Sequence, residues 1–143
     1  MGYDLRAHTA DIAVEATGNS LESVFAAVAD GFAAASCDDI PDTGDRFPIS
    51  VVAESREALL FDYLDELVYL RDVRAELPVD HEVTYIDRSD EPDDGSAGWS
   101  LEASARGVAL DRIDAREIKA VTYSEMRLER TDDGWEAYVV FDV

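Results

Sequence analysis

One lysine stands out among the side chains of this sequence that could do chemistry. Lys119 is the only lysine among 12 basic residues, the rest being arginine, against 33 Asp and Glu. An ammonium group is a compact, strongly hydrated point charge that a planar guanidinium does not imitate. One interpretation is that position 119 needs such a charge. The other is chance, since some residue must be the last lysine, and composition alone does not separate the two.

Two aspartates near opposite ends of the chain are the next candidates. Asp11 begins an alternating segment, and Asp142 comes just before Val143 at the end of an apolar strand pattern. If the first and last strands pair, Asp11, Asp142 and the terminal carboxylate of Val143 converge. Such an oxygen-only site suits a hard divalent cation such as Ca²⁺, Mg²⁺ or Mn²⁺ rather than zinc.

His8 is the third candidate, because it lies with Thr9 and Asp11 at the entry to the first strand. Taken alone, the motif is explained more simply by a turn in which Thr9 or Asp11 caps backbone amides. The acid-rich loop 36–45 lacks the ligand register of an EF-hand, so the sequence does not favour a calcium site there.

Hydrophobic periodicity predicts the elements that position these residues. Strands and helices alternate in the first half, and strands alone follow. An extended segment is expected at 3–8, strands at 11–16, 47–54, 81–88, 98–106, 118–123, 126–130 (after a kink near Ser124) and 135–143, and helices at 20–35 and 56–76.

This order predicts an α+β fold, with two helices packed on a mostly antiparallel sheet in the order β-α-β-α-β-β-β-β. Asn19 and Glu22 resemble a capping box at the first helix. Asp133 and Gly134 predict a tight hairpin before the last strand. The length of 143 residues favours one domain, residues 1–143.

The formal charge of −21 narrows the classes of function. It opposes direct binding to nucleic acid or to an anionic membrane surface. Because the acidic residues are dispersed and the apolar fraction is 47%, the composition predicts a folded protein from a high-salt cytoplasm. With no signal-like segment, no long apolar run and a single cysteine, we expect a cytoplasmic protein without disulfides.

Several segments occur in the order typical of one known family. They are His8–Ile12 with Gly18, Leu59–Leu60, Leu64–Leu67, Ile118–Tyr123, and Trp135 with Val139–Val143. Taken together, they resemble the archease family over essentially the whole chain, and with the acidic composition the resemblance implies a halophilic archaeon as the source. The departures are modest: Tyr63 and Asp65 stand where the family commonly has Trp and Asn, and Ser124 where archaeal members often have His.

The resemblance implies a function and its residues. Archease-like proteins are accessory proteins of the RtcB-type RNA ligase in tRNA splicing; they promote guanylylation of the ligase and its multiple turnover, without catalysing ligation. By position, Asp11, Asp142 and Val143 (through backbone or terminal oxygen) would form the metal site, with Ca²⁺ the leading cation. Lys119 matches a functionally important lysine, and His8 is a further functional or partner-contacting candidate.

Two other classes of function remain open at this point. A metal-dependent phosphoester hydrolase could use Asp11 and Asp142, although His8 is the only evident base near them. A chaperone-like binding module would need a long exposed apolar groove, which the sequence does not indicate.

Overall fold

The computed structural model of the chain describes residues 2–7, 11–89 and 98–143. Within these ranges the elements follow the order β-β-α-β-α-β-β-β-β, which confirms the α+β class. The strands are β1 (Gly2–Ala7), β2 (Asp11–Gly18), β3 (Arg46–Ala53), β4 (Glu76–Ser89), β5 (Gly98–Ala109), β6 (Ala120–Thr131) and β7 (Gly134–Asp142), and the helices are α1 (Leu21–Ser36) and α2 (Arg56–Arg74).

The strands form two antiparallel sheets, where the sequence had suggested one. One sheet has the order β1-β2-β7-β6 and the other β3-β5-β4. Each helix contacts strands of both sheets, so the helices form a layer between them. The reason is the composition of the helices: α1 buries Val24, Phe25, Val28 and Phe32 completely, and such wide apolar surfaces need partners on more than one side.

The N-terminal strand β1 is an element that the predicted order lacked. The expected extended segment at 3–8 pairs antiparallel with β2, from Gly2 opposite Thr17 to Ala7 opposite Ile12. Residue 8 lies outside the described residues. β1 therefore covers an edge of β2, and β2 becomes an interior strand of its sheet.

The cap of α1 differs from the predicted capping box of Asn19 and Glu22. Ser20 is the N-cap, and Ser23 is its capping-box partner. The carboxylate of Glu22 instead accepts a hydrogen bond of 3.1 Å from the backbone N–H of Ile86 in β4. The local pattern is thus overridden by a tertiary contact that ties the first turn of α1 to the other sheet.

Helix α2 ends earlier than predicted, and β4 begins sooner. Ala75 adopts the left-handed conformation (φ 54°) directly after Arg74, so the helix stops before position 76. β4 tolerates Pro78 because it pairs with β5 alone and is an edge strand. In the described part of the chain, neither helix is long and apolar enough to cross a membrane.

β6 is one strand with an irregularity, where the sequence predicted two segments around a kink near Ser124. Its register to β7 breaks between Thr122 and Arg127, and Glu125 has a positive φ of 61°. The strand begins at Ala120, so Lys119 lies just before it and not within it. The predicted hairpin is confirmed: Gly134, with φ 147°, follows the tight turn into β7.

A polar cluster lies where the two helices meet β4. It consists of the half-buried Asp30 on α1, the buried Tyr63 on α2 and the buried His81 on β4. The Asp30 carboxylate accepts a hydrogen bond of 3.0 Å from the backbone N–H of His81. Burial raises the pKa of Asp30 to about 6, and burial lowers the pKa of His81 to about 4. At neutral pH a half-buried carboxylate therefore stays charged at some cost to stability.

We predict that Asp30→Asn stabilises the protein at neutral pH. The folded pKa of Asp30 is raised from 3.8 to about 6, so this group favours folding below its unfolded pKa and loses that contribution as pH rises through about 6. Asparagine keeps an oxygen for the His81 N–H without the charge. After discounting for partial exposure, the gain at pH 7 is about 1–2 kcal/mol in the free energy of unfolding.

Chemical denaturation of both proteins between about pH 4 and pH 8 measures this difference. Because His81 is present in both, its own opposite pH dependence cancels in the comparison. A gain that shrinks towards about pH 4 is expected. A variant that is less stable than the parent at pH 7 would show that the carboxylate charge stabilises the fold.

The acidic surface predicts a salt dependence of stability. On α2, burial raises the pKa of Asp62, and the neighbouring carboxylates of Asp65 and Glu54 raise it further. Increasing KCl from about 0.1 M to about 2 M shortens the Debye length and screens this repulsion. We expect the thermal midpoint to rise by at least about 5 °C, with a smaller rise for Asp65→Asn. Circular dichroism melts decide this, and a flat or falling midpoint contradicts it.

Candidate functional site

The second and last strands of the described fold bring the two candidate aspartates together. β2 pairs antiparallel with β7, and in this register Asp11 lies directly opposite Asp142. The same Asp142 lies opposite Ala120 at the start of β6. Directly opposed residues share one face of a sheet, with Cβ atoms about 4.5–5.5 Å apart. The strand pairing on which the predicted site depends is therefore present. It places two carboxylates on one face, at one end of this sheet.

Asp11 shows the clearest sign of an unsatisfied site. Its Oδ1 is buried, and among the described residues it has no hydrogen-bond partner. A buried carboxylate oxygen without a partner is costly. A hard cation is the kind of group that satisfies such an oxygen, since Ca²⁺, Mg²⁺ and Mn²⁺ prefer carboxylate and carbonyl ligands. The oxygen ligands available here are therefore of the type that binds a divalent cation.

The number of side-chain ligands is small. Across residues 2–7, 11–89 and 98–143, no group of three or more His, Cys, Asp or Glu side chains is arranged to hold a metal ion. Asp11 and Asp142 supply two carboxylates, and further oxygens would have to come from Val143, the backbone or a partner. Val143 follows Asp142 directly and is 36% exposed. His8 lies outside the described residues.

The backbone of Lys119 lies next to the backbone of Asp142. Its backbone N–H donates a hydrogen bond of 2.8 Å to the carbonyl oxygen of Asp142. Its side chain is exposed, so the ammonium is available to a partner. Residues from the two ends of the chain and from position 119 are thus neighbours in the fold, although they are far apart in sequence.

The segment that carries Lys119 has no regular structure between Asp114 and Lys119, and other elements hold it in place. Arg116 donates its N–H to the carbonyl oxygen of Ser36 at 2.7 Å. Ile118 is fully buried, and its carbonyl oxygen accepts a hydrogen bond of 2.7 Å from Nη1 of Arg71. Hydrogen bonds to backbone atoms therefore hold the segment directly before Lys119.

Sequence reasoning missed Arg71 as a contributor to this site. It is only 5% exposed, which is unusual for arginine. A signal was available: Arg71 falls at i+7 and i+4 from Leu64 and Leu67, on the apolar stripe of α2. An arginine on an apolar stripe indicates a buried hydrogen-bonding role. Further along, Phe61 of α2 stacks on Tyr123 with ring centroids 4.1 Å apart, which fixes β6 against the same helix.

Comparison with known proteins identifies relatives over the full length. A family model described as the archease protein family (MTH1598/TM1083) matches residues 3–143. Protein archease of Methanosarcina acetivorans is 36% identical, covering 99% of this chain and 95% of its own. Protein archease of Pyrococcus abyssi is 34% identical, covering 95% and 94%.

Solved structures are similar over the same extent. The solution structure of Methanobacterium thermoautotrophicum protein 1598 has a TM-score of 0.77 and 28% identity, covering 99% of each chain. The crystal structure of an archease from Thermotoga maritima, described as a possible chaperone, has a TM-score of 0.62 and 27% identity, covering 96% of this chain and 94% of that one. The resemblance found in the sequence is confirmed, and this chain belongs to the archease family.

Proposed function

We propose that this chain is an accessory activator of an RtcB-type RNA ligase in tRNA splicing in the cytoplasm. It would promote guanylylation of the ligase and its repeated turnover, and would not catalyse ligation itself. Membership of the archease family supports the choice of partner. The observation that carries the proposal is the opposition of Asp11 and Asp142 on β2 and β7, with the Lys119 amide hydrogen-bonded to Asp142.

In this proposal Asp11, Asp142 and Val143 hold a divalent cation, with Ca²⁺ ahead of Mg²⁺ and Mn²⁺. The buried, unpartnered Oδ1 of Asp11 supports this assignment. When bound, the cation would offset negative charge on nucleotide phosphates next to the site. The two aspartates themselves orient their oxygens from opposed positions on a rigid sheet, a more accurate support than a loop.

Lys119 supplies the second part of the proposed mechanism. Its exposed ammonium would neutralise phosphate charge that develops during guanylylation, or dock against an acidic group of the ligase. The backbone around it is held by hydrogen bonds, so the flexible side chain starts from a defined position.

Because of the net charge, we expect this protein to contact the protein surface of the ligase and not its RNA. A chain of charge −21 is repelled by phosphate backbones, whereas it is attracted to basic surfaces of a protein partner. The proposal is therefore that this protein acts on the ligase directly, without binding nucleic acid.

The test is the rate of ligase guanylylation at high salt, with and without this protein, in Mg²⁺, Mn²⁺ or Ca²⁺. We expect faster guanylylation and more than one turnover per ligase molecule, and loss of both effects when Asp11→Asn replaces the parent protein. A ligase that reacts equally fast with and without the protein, under every cation, would contradict the proposal.

The same preparation separates the alternative functions. One alternative is a general chaperone, because the Thermotoga maritima relative is described as a possible chaperone. A general chaperone would suppress aggregation of unrelated proteins and would not need Asp11 or Lys119. A phosphoester hydrolase would turn over generic phosphoesters without the ligase and would lose that activity in Asp11→Asn. Stimulation confined to the ligase distinguishes the proposed function from both.

A further inference from the structure

We infer that Arg71 is a positioning residue for Lys119, and this inference rests on the role proposed for Lys119 above. Arg71 lies in the last turn of α2, far from Lys119 in sequence. Its guanidinium reaches the backbone immediately before that lysine. Helix α2 thereby fixes the backbone position from which the exposed Lys119 side chain extends.

The contacts of Arg71 use both edges of its guanidinium. On one edge, Nη1 donates to the carbonyl oxygen of Ile118 at 2.7 Å. On the other edge, Nε and Nη2 donate to Oδ1 of Asp72 at 3.2 and 3.1 Å. A buried charge is tolerated only when its donors find acceptors. The planar fork of arginine makes these bonds in fixed relative directions, which a lysine ammonium does not.

The hydrogen bond from Arg71 is important because the segment before Lys119 is only partly packed against α2. Leu110, residues 113–117 and the end of α2 line a depression of about 300 Å³, so the segment is not packed tightly against the helix along its whole length. The hydrogen bond from Arg71 to Ile118 crosses to the segment at its C-terminal end. The next residue, Lys119, is then bonded through its N–H to Asp142.

These contacts link three elements in one chain of hydrogen bonds. Arg71 on α2 holds Ile118, and Lys119 holds Asp142 on β7, opposite Asp11 on β2. Without the guanidinium, the Ile118 carbonyl loses its donor in a buried position, and the segment has room to shift. We therefore expect the backbone of Lys119 to lose its fixed position next to Asp142.

A single lysine makes the structural part of this inference directly measurable. Protein labelled with ¹⁵N-lysine gives one lysine backbone amide signal, that of Lys119. Arg71→Met should speed hydrogen exchange of this amide by about tenfold or more, because local opening no longer breaks the Arg71 hydrogen bond. Arg74→Met is the matched control, since Arg74 lies on the same helix and pairs with Glu76 instead.

A second variant covers the case in which Arg71→Met does not fold. Asp72→Ala removes the acceptor from the outer edge of the guanidinium, and the Asp72 side chain is 64% exposed, so the core is left intact. It should speed exchange at Lys119 in the same direction, with Asp65→Ala as its control. Unchanged exchange at Lys119 in Asp72→Ala, or in folded Arg71→Met, overturns the inference.

The functional part is tested by a double-mutant cycle on ligase guanylylation. If Arg71 acts through Lys119, Arg71→Met lowers stimulation in the parent but has no further effect in Lys119→Met. Additive losses would show that Arg71 acts by another route and would overturn the inference. Full stimulation by Lys119→Met would instead refute the proposed role of Lys119, while the exchange data would still decide whether Arg71 fixes the segment.

Discussion

Replacing Lys119 with arginine is expected to lower stimulation of ligase guanylylation by about tenfold to a hundredfold. The positive charge is kept, so the loss would come from geometry and hydration. An ammonium approaches a phosphate or carboxylate oxygen as a point, whereas a guanidinium presents a wide planar fork. Lys119 is exposed, and its backbone hydrogen bond to Asp142 does not depend on its side chain.

The comparison should use equal concentrations of folded protein, checked by thermal midpoints, which are expected to match. Arg112→Lys is the matched control, because it makes the reverse exchange at another exposed position outside the strands. Lys119→Met, without any charge, should lose at least as much stimulation as Lys119→Arg. Full stimulation by the arginine variant would mean that charge alone is needed at position 119.

Asp11→Asn is expected to weaken divalent cation binding by about a hundredfold. Loss of a group that only supports a ligand costs 10- to 100-fold in metal affinity, so loss of a ligand itself belongs at or above the top of that range. The amide retains one neutral oxygen but removes a charge opposite Asp142. Calorimetric titration with Ca²⁺, Mg²⁺ and Mn²⁺ measures the effect, and Asp87→Asn, exposed on the other sheet, is the control.

The same variant has an opposite effect on stability in the absence of divalent cations. Like charges directly opposed on neighbouring strands destabilise a sheet by roughly 0.2–1 kcal/mol. With a chelator present, Asp11→Asn should therefore unfold at a slightly higher denaturant concentration than the parent. This pair of results, weaker binding and higher stability without cation, is specific to a ligand. Unchanged affinity would remove Asp11 from the site, and lower stability in chelator would make its carboxylate a structural group.

Much of the local structure is readable from the sequence, because it depends on neighbours along the chain. The spacing of Val24, Phe25, Val28 and Phe32 predicts α1, and the helix is observed at Leu21–Ser36. Asp-Gly at 133–134 predicts a hairpin, which is observed with Asp132 and Asp133 in the turn and Gly134 pairing with Thr131. The misses at element ends have the opposite cause, since Ala75 takes a left-handed conformation that no neighbouring residue indicates.

The arrangement of the candidate site was only partly predictable. Asp11, Asp142 and Lys119 could be singled out by type and position, and a resemblance to archease connected them. Their proximity depends on β2 pairing with β7 and not with another strand, and on the register of that pairing. A shift of one residue would turn Asp11 to the other face of the sheet. Periodicity within a strand contains no information about which partner, or which register, is chosen.

By itself, then, the sequence determined the α+β class, most of the helices and strands, the family, and the residue types available for a cation site and a point charge. Only the tertiary structure decided that the strands form two sheets around the helices, that Asp11 faces Asp142, and that Arg71 holds the segment before Lys119. The physical reason is the distance along the sequence between the residues that interact. Helix and strand preferences arise from residues a few positions apart. The contacts that build the site join residues much further apart, 23 positions from Lys119 to Asp142 and 47 from Arg71 to Ile118, and they depend on how the whole core packs.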